Sequence, residues 1–308
     1  MVASKYVLTF INRSDENLTD AKVQQLILKI VAHIPSDIQT DFTTLKRLGD
    51  RAVDQYMTTS EPIDKDMLQG VSHHVDLILQ HDDEYRQDKK LFVFDMDSTL
   101  IYQEVIELIA SYAKVEPQVK AITDRAMNNE IDFKESLRER VSLLKGLTID
   151  TIYEEVKGKL QITKGVPELC KFLHTKGIKL AVLSGGFVPF AQYIQEQLGL
   201  DYMKANVLET DSEGKLTGKV TGEIVDGEIK AETILTLADK WSIPLETIMM
   251  VGDGGNDLPA MGVAGFGIAW NAKPKVQAEA PCQLNTNSLL DALYILGYTD
   301  EEINHHLL

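Results

Sequence analysis

Lys89-Lys90-Leu91-Phe92-Val93-Phe94-Asp95-Met96-Asp97-Ser98-Thr99-Leu100 is the stretch from which the fold can be read. Leu91 to Phe94 is a short apolar run of β-preferring residues, as expected for a central strand of a parallel sheet covered on both faces. Two aspartates follow at the strand's carboxyl end, where open α/β sheets place their ligands. In extended chain, residues two apart point the same way, so Asp95 and Asp97 are expected to face one site. Two carboxylates that close repel unless a cation or a shared proton relieves them. The plainer alternative is an acidic turn capping the next helix through Ser98 or Thr99, and the downstream sequence weighs against it.

Upstream, residues 1–80 read as a separate small unit. Tyr6–Ile11 reads as a strand, and Leu18–Ile34 has helical apolar spacing. Phe42–Leu48 and Ala52–Thr58 read as a hairpin about Gly49-Asp50. Pro62–Ser72 suits a helix with proline in its first turn, and Val75–Leu79 a strand. The order βαββαβ is the ferredoxin-like arrangement, and it resembles the ACT-like small-molecule-binding domain. Residues 81–90 read as a polar linker.

Downstream, residues 91–308 read as the catalytic part. The next convincing parallel strand, Ile178–Leu183, comes about eighty residues after the first, whereas a crossover needs only about a dozen. The surplus, about 104–160, is charged and helical in pattern, an inserted cap over the sheet's carboxyl end. Strand and helix then alternate: helix Val188–Leu198, strand Tyr202–Val207, a glycine-punctuated hairpin over Leu216–Ile229, and helix Ala231–Trp241. Strand Thr247–Val251, helix Leu258–Met261, strand Gly267–Trp270 and a closing helix Leu289–Leu296 complete the series. This alternation predicts an α/β fold with a doubly wound, Rossmann-like, mostly parallel sheet.

Composition narrows the function. A net charge of −16 over 308 residues argues against a nucleic-acid or anionic-membrane partner. An anionic substrate therefore needs a local basic pocket or a metal. Cys170 and Cys282 have neither metal-ligand spacing nor a disulfide framework. The sequence begins without a basic segment and apolar signal core, and no apolar run is long enough to span a bilayer. A cytoplasmic protein is expected. His305-His306 reads as a solvated end.

Three more polar stretches follow apolar runs. Leu183-Ser184-Gly185-Gly186-Phe187 offers a hydroxyl and glycine-freed N–H groups where a helix opens, a ready anion site. Lys230 leads a helix. Val251-Gly252-Asp253-Gly254-Gly255-Asn256-Asp257 sets two more carboxylates at a strand end. Each has a bland reading, a turn, a solvated lysine or a capped loop, but together they resemble the four motifs of the haloacid dehalogenase superfamily of phosphohydrolases. That resemblance implies that Asp95 is a nucleophile toward phosphorus. It implies that Asp97 is the acid and base that serves the leaving oxygen and then water. It further implies that Mg²⁺ is held by Asp95, the Asp97 carbonyl and Asp253 with Asp257 in support. Ser184, Gly185, Lys230 and Asn256 would meet the phosphoryl oxygens.

The cap speaks to the substrate. Helical spacing from Phe133 to Leu144 puts Phe133, Leu137, Arg140 and Leu144 on one stripe, where Arg140 has no acid within a turn. A cation on an apolar face needs an anion to meet it. Glu104 sits beside Leu100, Ile101 and Leu108, although a first-turn acid favoured by the helix dipole explains it equally well. Arginine plus glutamate suits a zwitterionic small molecule. Asp95–Leu100 with Glu104 nine residues after Asp95, Arg125–Phe133, Ser136–Leu144 and Gly252–Pro259 resemble the phosphoserine phosphatase family, with Met127 and Phe133 as apolar walls. The expectation is hydrolysis of O-phospho-L-serine. The alternatives are another small phosphomonoesterase or phosphotransferase, or an amino-acid sensor with an inactive hydrolase unit. The N-terminal unit is compatible with regulation or a homodimer.

Overall fold

The computed structural model describes residues 4–127 and 130–308, which form two sheets. The first is antiparallel: β1 (Ser4–Asn12), β2 (Thr40–Arg47), β3 (Ala52–Thr59) and β4 (Val75–His81), in the order β2-β3-β1-β4. Helix α1 (Asp20–His33), capped by Thr19, lays Val23, Leu26 and Ile30 against Tyr6, Leu8 and Phe10 on one face. The other face is covered over its central strands, while β2 at the edge stays exposed. Ile11, Ala52 and Ile78 join the core of the second sheet.

The second sheet has β5 (Leu91–Phe94), β6 (Lys179–Phe187), β7 (Tyr202–Thr210), β8 (Leu216–Thr221), β9 (Ile248–Gly252), β10 (Phe266–Trp270) and β11 (Cys282–Leu284). Their order is β11-β10-β9-β5-β6-β7-β8, parallel except for the antiparallel β8. Leaving β5, the chain builds β6 and β7 to one side. It then returns to build β9 and β10 on the other, so the switch of direction falls between β5 and β9, where such sheets bind ligands. All four residues of β5 are buried. Phe92 and Phe94 pack on one face of the sheet, Leu91 and Val93 on the other.

Four helices, α2 (Val105–Ala113), α3 (Glu116–Met127), α4 (Phe133–Ser142) and α5 (Ile149–Lys157), make the cap. Its entry and exit segments are stitched together by an isolated bridge: Ile101 pairs with Ile162, and the Tyr102 N–H donates to Gln161 O at 3.0 Å. The sheet's own helices are α6 (Val166–Thr175), α7 (Val188–Leu198), α8 (Gly227–Trp241), α9 (Leu258–Val263), α10 (Pro274–Glu279), α11 (Ala292–Ile295) and α12 (Asp300–Leu307). No described helix is long and apolar enough to cross a membrane.

Four expectations need correcting. Pro62–Ser72 contains only a 3-10 turn, Lys65–Leu68. The Asp64 side chain starts it, and the chain turns at Gly70 with φ +76°, which ends any helical path. The hairpin pairs β7 with β8, and residues 222–226 lead into α8, which starts at Gly227 under an Asp226 cap rather than at Ala231. Leu289–Leu296 is a 3-10 turn and one short helical turn, and α12 follows it under a Thr299–Glu302 capping box. There His306 sets its ring edge-on to Phe172 at 5.2 Å, while His305 stays exposed.

The stretch read as a linker is also part of the packing. Arg86 is 8 % exposed and donates to both oxygens of Asp54 at 2.8 Å, to Thr9 Oγ1 and to the carbonyls of Tyr294 and Ile295. Arg51 pairs with Asp291 at 2.7 Å, and Asn285 holds Asp76. The N-terminal sheet domain is thus joined to the second sheet by ion pairs set in apolar packing.

Candidate active site

Parallel pairing brings the acids together. The Asp95 N–H continues the ladder by donating to Val251 O at 2.9 Å, which sets Asp95 beside the end of β9, where Asp253 follows. A side chain at Gly252 would collide with Asp257, since its Cβ would lie 2.2 Å from Asp257 Oδ2. Glycine there lets the Asp257 carboxylate close onto the strand end. Asp95, Asp253 and Asp257 each offer an oxygen within 4.8 Å of the others. Three hard oxygen donors so placed fit a small divalent cation.

Lys230 is fully buried in the first turn of α8. Its Nζ donates to Asp95 Oδ1 at 2.8 Å and to Asp257 Oδ1 at 2.7 Å. Burial opposes the ammonium charge, but Asp257 and Asp95 outweigh it and raise the lysine pKa. Asp257 is pushed up to about 6 by burial and by Asp95, against the pull of Lys230. Burial, Asp95 and Asp257 hold Asp253 well above the carboxylate range. Asp95 Oδ1 also accepts from the Met96 N–H at 2.8 Å, while Oδ2 has no protein donor among the described residues.

Asp97 is not one of those three donors. Its Oδ2 accepts from the Val105 N–H at 3.3 Å, and its buried Oδ1 has no partner among the described residues. Burial first, then Glu104 and Asp95, lift its carboxyl well above the ordinary range, which favours the protonated form. Ser98, at φ +56°, turns the chain so that its hydroxyl donates to Glu104 Oε1 at 2.7 Å. Glu104, at the N-cap of α2, is itself raised by burial and Asp95.

Ser184 is buried, and its Oγ accepts from the Gly186 N–H at 2.9 Å, which shapes the turn and leaves its own proton to donate. Asn256 Nδ2 borders Gly185, and a Cβ at Gly185 would lie 2.7 Å from Phe133 Cζ of the cap. The site is therefore roofed by Phe133. A Cβ at Gly255 would meet nothing within 4 Å, so glycine is not required there. Arg140 donates Nε to Ser136 O at 3.3 Å and has no ion pair among the described residues. Burial lowers its pKa, and Glu104 and Asp97 oppose that. Met127 ends α3, and its side chain lies outside the described residues.

Several polar side chains at the site were not legible in advance. Thr99 Oγ1 donates to Asp253 Oδ1 at 3.1 Å, Asn206 donates to Gly185 O at 2.8 Å, and Lys134 pairs with Asp226 at 3.0 Å. Thr99 lay inside the quoted stretch and could have been read as more than a cap. The others depend on contacts made only in the fold.

The switch-point acids, the buried lysine and the cap define a hydrolase of the haloacid dehalogenase kind, and the family model described as haloacid dehalogenase-like hydrolase matches residues 89–265. The chain is similar to the phosphoserine phosphatase of Saccharomyces cerevisiae, 60 % identical over 97 % of this chain and 98 % of that one. It is also similar to a phosphoserine phosphatase solved as a phospho-aspartyl intermediate analogue, with TM-score 0.64 and 42 % identity over 67 % of this chain and 98 % of that one. An unliganded structure of a probable phosphoserine phosphatase from Vibrio cholerae aligns at TM-score 0.70 and 33 % identity, over 96 % of this chain and 86 % of that one. The chain belongs to the haloacid dehalogenase-like hydrolases and, within them, to the phosphoserine phosphatase family.

Proposed function

We propose that this protein hydrolyses O-phospho-L-serine to L-serine and phosphate in the cytoplasm, as the last step of serine biosynthesis, through a phosphorylated Asp95. The observation that carries the reading is the unequal treatment of the two Asp95 oxygens. Oδ1 is held by Lys230 and the Met96 N–H, and Oδ2 is left to attack. In the first step Asp95 Oδ2 bonds to phosphorus as the bond to the serine oxygen breaks, and Asp97 gives its proton to that oxygen. In the second, Asp97 takes a proton from water as the water oxygen bonds to phosphorus and Asp95 is released.

Ser184, the Gly185 N–H, Asn256 and Lys230 meet the equatorial oxygens, where charge must be balanced in phosphoryl transfer. Mg²⁺ suits the oxygen donors: Asp95, Asp253 and the Asp97 carbonyl would hold it. Asp257, engaged by Lys230 and the Gly254 N–H, would support that set. When bound it supplies positive charge against the phosphoryl oxygens. Arg140 binds the substrate carboxylate and Glu104 its ammonium, with Phe133 and Met127 excluding water.

The test is a panel of O-phospho-L-serine, phosphoethanolamine and phosphoglycolate, each with and without a chelator. Phosphoserine should be hydrolysed far better than the other two, and only with Mg²⁺ present. Equal rates on all three would remove the assignment of Arg140 and Glu104.

A further inference from the structure

Adjacent residues of the cap land on adjacent parts of the core. Phe133 lies over Gly185, and Lys134 Nζ reaches Asp226 Oδ2 at 3.0 Å. Asp226 divides its carboxylate between two tasks, because Oδ1 accepts from the Ile229 N–H at 3.0 Å and so caps the helix that carries Lys230. The two landing points are themselves tied together. Buried Asn206 donates to Gly185 O at 2.8 Å, and its Oδ1 accepts from the Val225 N–H, next to Asp226, at 2.8 Å. A circuit therefore runs from the cap through the phosphate-side turn and the Lys230 helix and back to the cap.

We propose that Lys134 and Asp226 are positioning residues, an ion pair that latches α4 onto the start of α8 and holds Phe133 over the site during turnover. This rests on the functional reading above, since a closed cap matters only if the substrate spans cap and core. Lys134 is more than a third exposed and Asp226 much less, so the pair competes with water on one side only. Among the charges around Lys134, Asp226 acts most strongly, ahead of Glu228 and Arg138, which act with opposite signs.

An ion pair of this exposure shifts a closing equilibrium by about two- to fivefold. Lys134→Met removes the cation, and Asp226→Asn removes the charge while keeping a side-chain oxygen for the cap. Each should raise KM for O-phospho-L-serine about two- to fivefold with kcat nearly unchanged. Each should leave kcat/KM for para-nitrophenyl phosphate, which carries neither carboxylate nor ammonium for the cap, at the wild-type value. Lys134→Arg should restore KM, and the double variant should be no worse than either single one. Wild-type KM in both single variants, additive effects in the double variant, or a parallel fall on both substrates would overturn the latch. The wild-type chain's preference for phosphoserine over para-nitrophenyl phosphate tests the functional reading separately, and its absence would overturn both.

Discussion

Lys230 and Asp95 form a buried ion pair, Nζ to Oδ1 at 2.8 Å, and the same ammonium holds Asp257 at 2.7 Å. One cation between two carboxylates leaves a net negative site that a divalent ion completes and a phosphate would otherwise avoid. Lys230→Met should reduce phosphoserine turnover about a hundredfold or more. Leaving the carboxylates without their cation should also cost about 3–5 kcal/mol of stability, read from urea unfolding. Added Mg²⁺ should shift the urea midpoint more in this variant than in the wild type. An unchanged midpoint would mean that the acids are neutralised by protons instead.

Arg140 has no ion pair among the described residues, and a lysine there cannot offer the guanidinium fork to a carboxylate. Arg140→Lys should raise KM for O-phospho-L-serine about tenfold or more, with kcat changed far less. Phosphoethanolamine, which lacks the carboxylate, should be hydrolysed equally well by both forms. An unchanged KM for phosphoserine would count against the assignment.

If Asp97 serves the leaving oxygen as proposed, it must carry a proton. Burial and then the charges of Glu104 and Asp95 raise its pKa, so the acid form is present below that raised value and lost as pH rises through it. Glu104→Gln removes one of those negative charges. The alkaline limb of kcat should therefore move to lower pH, measured with para-nitrophenyl phosphate so that ammonium binding does not intervene. A limb that stays in place or moves upward would show that Glu104 does not act on Asp97.

The N-terminal sheet domain and the second sheet share Arg86, which is buried against Asp54, Thr9 and two carbonyls of the C-terminal segment. Asp54→Ala strands that charge and should destabilise the whole chain by about 3–5 kcal/mol in a single unfolding transition. Two separate transitions, with the second at the wild-type midpoint, would mean that the two parts fold independently.

The strand-end positions of Asp95 and Asp253 were legible because β5 and β9 are continuous apolar runs that stop at polar residues. Parallel pairing then makes neighbours of residues far apart in sequence. The cap was legible as a surplus of chain. Pro62–Ser72 misled because a proline start carries no weight when Gly70 turns the chain a few residues later. Arg86 hid in a run of charges that reads as solvated, since its partner Asp54 lies on a strand and its carbonyl partners near the C-terminus. Asn206 and Lys134 gave no local signal, because one braces a turn and the other reaches a helix cap that only the tertiary structure brings near.

Rapid acid quenching during turnover of phosphorus-labelled O-phospho-L-serine, followed by peptide mapping, tests the central claim most directly. The label should appear on the peptide containing Leu91–Leu100, on the side chain of Asp95, and vanish together with activity in Asp95→Asn. Turnover that persists in Asp95→Asn, or label found on another residue, would contradict the account.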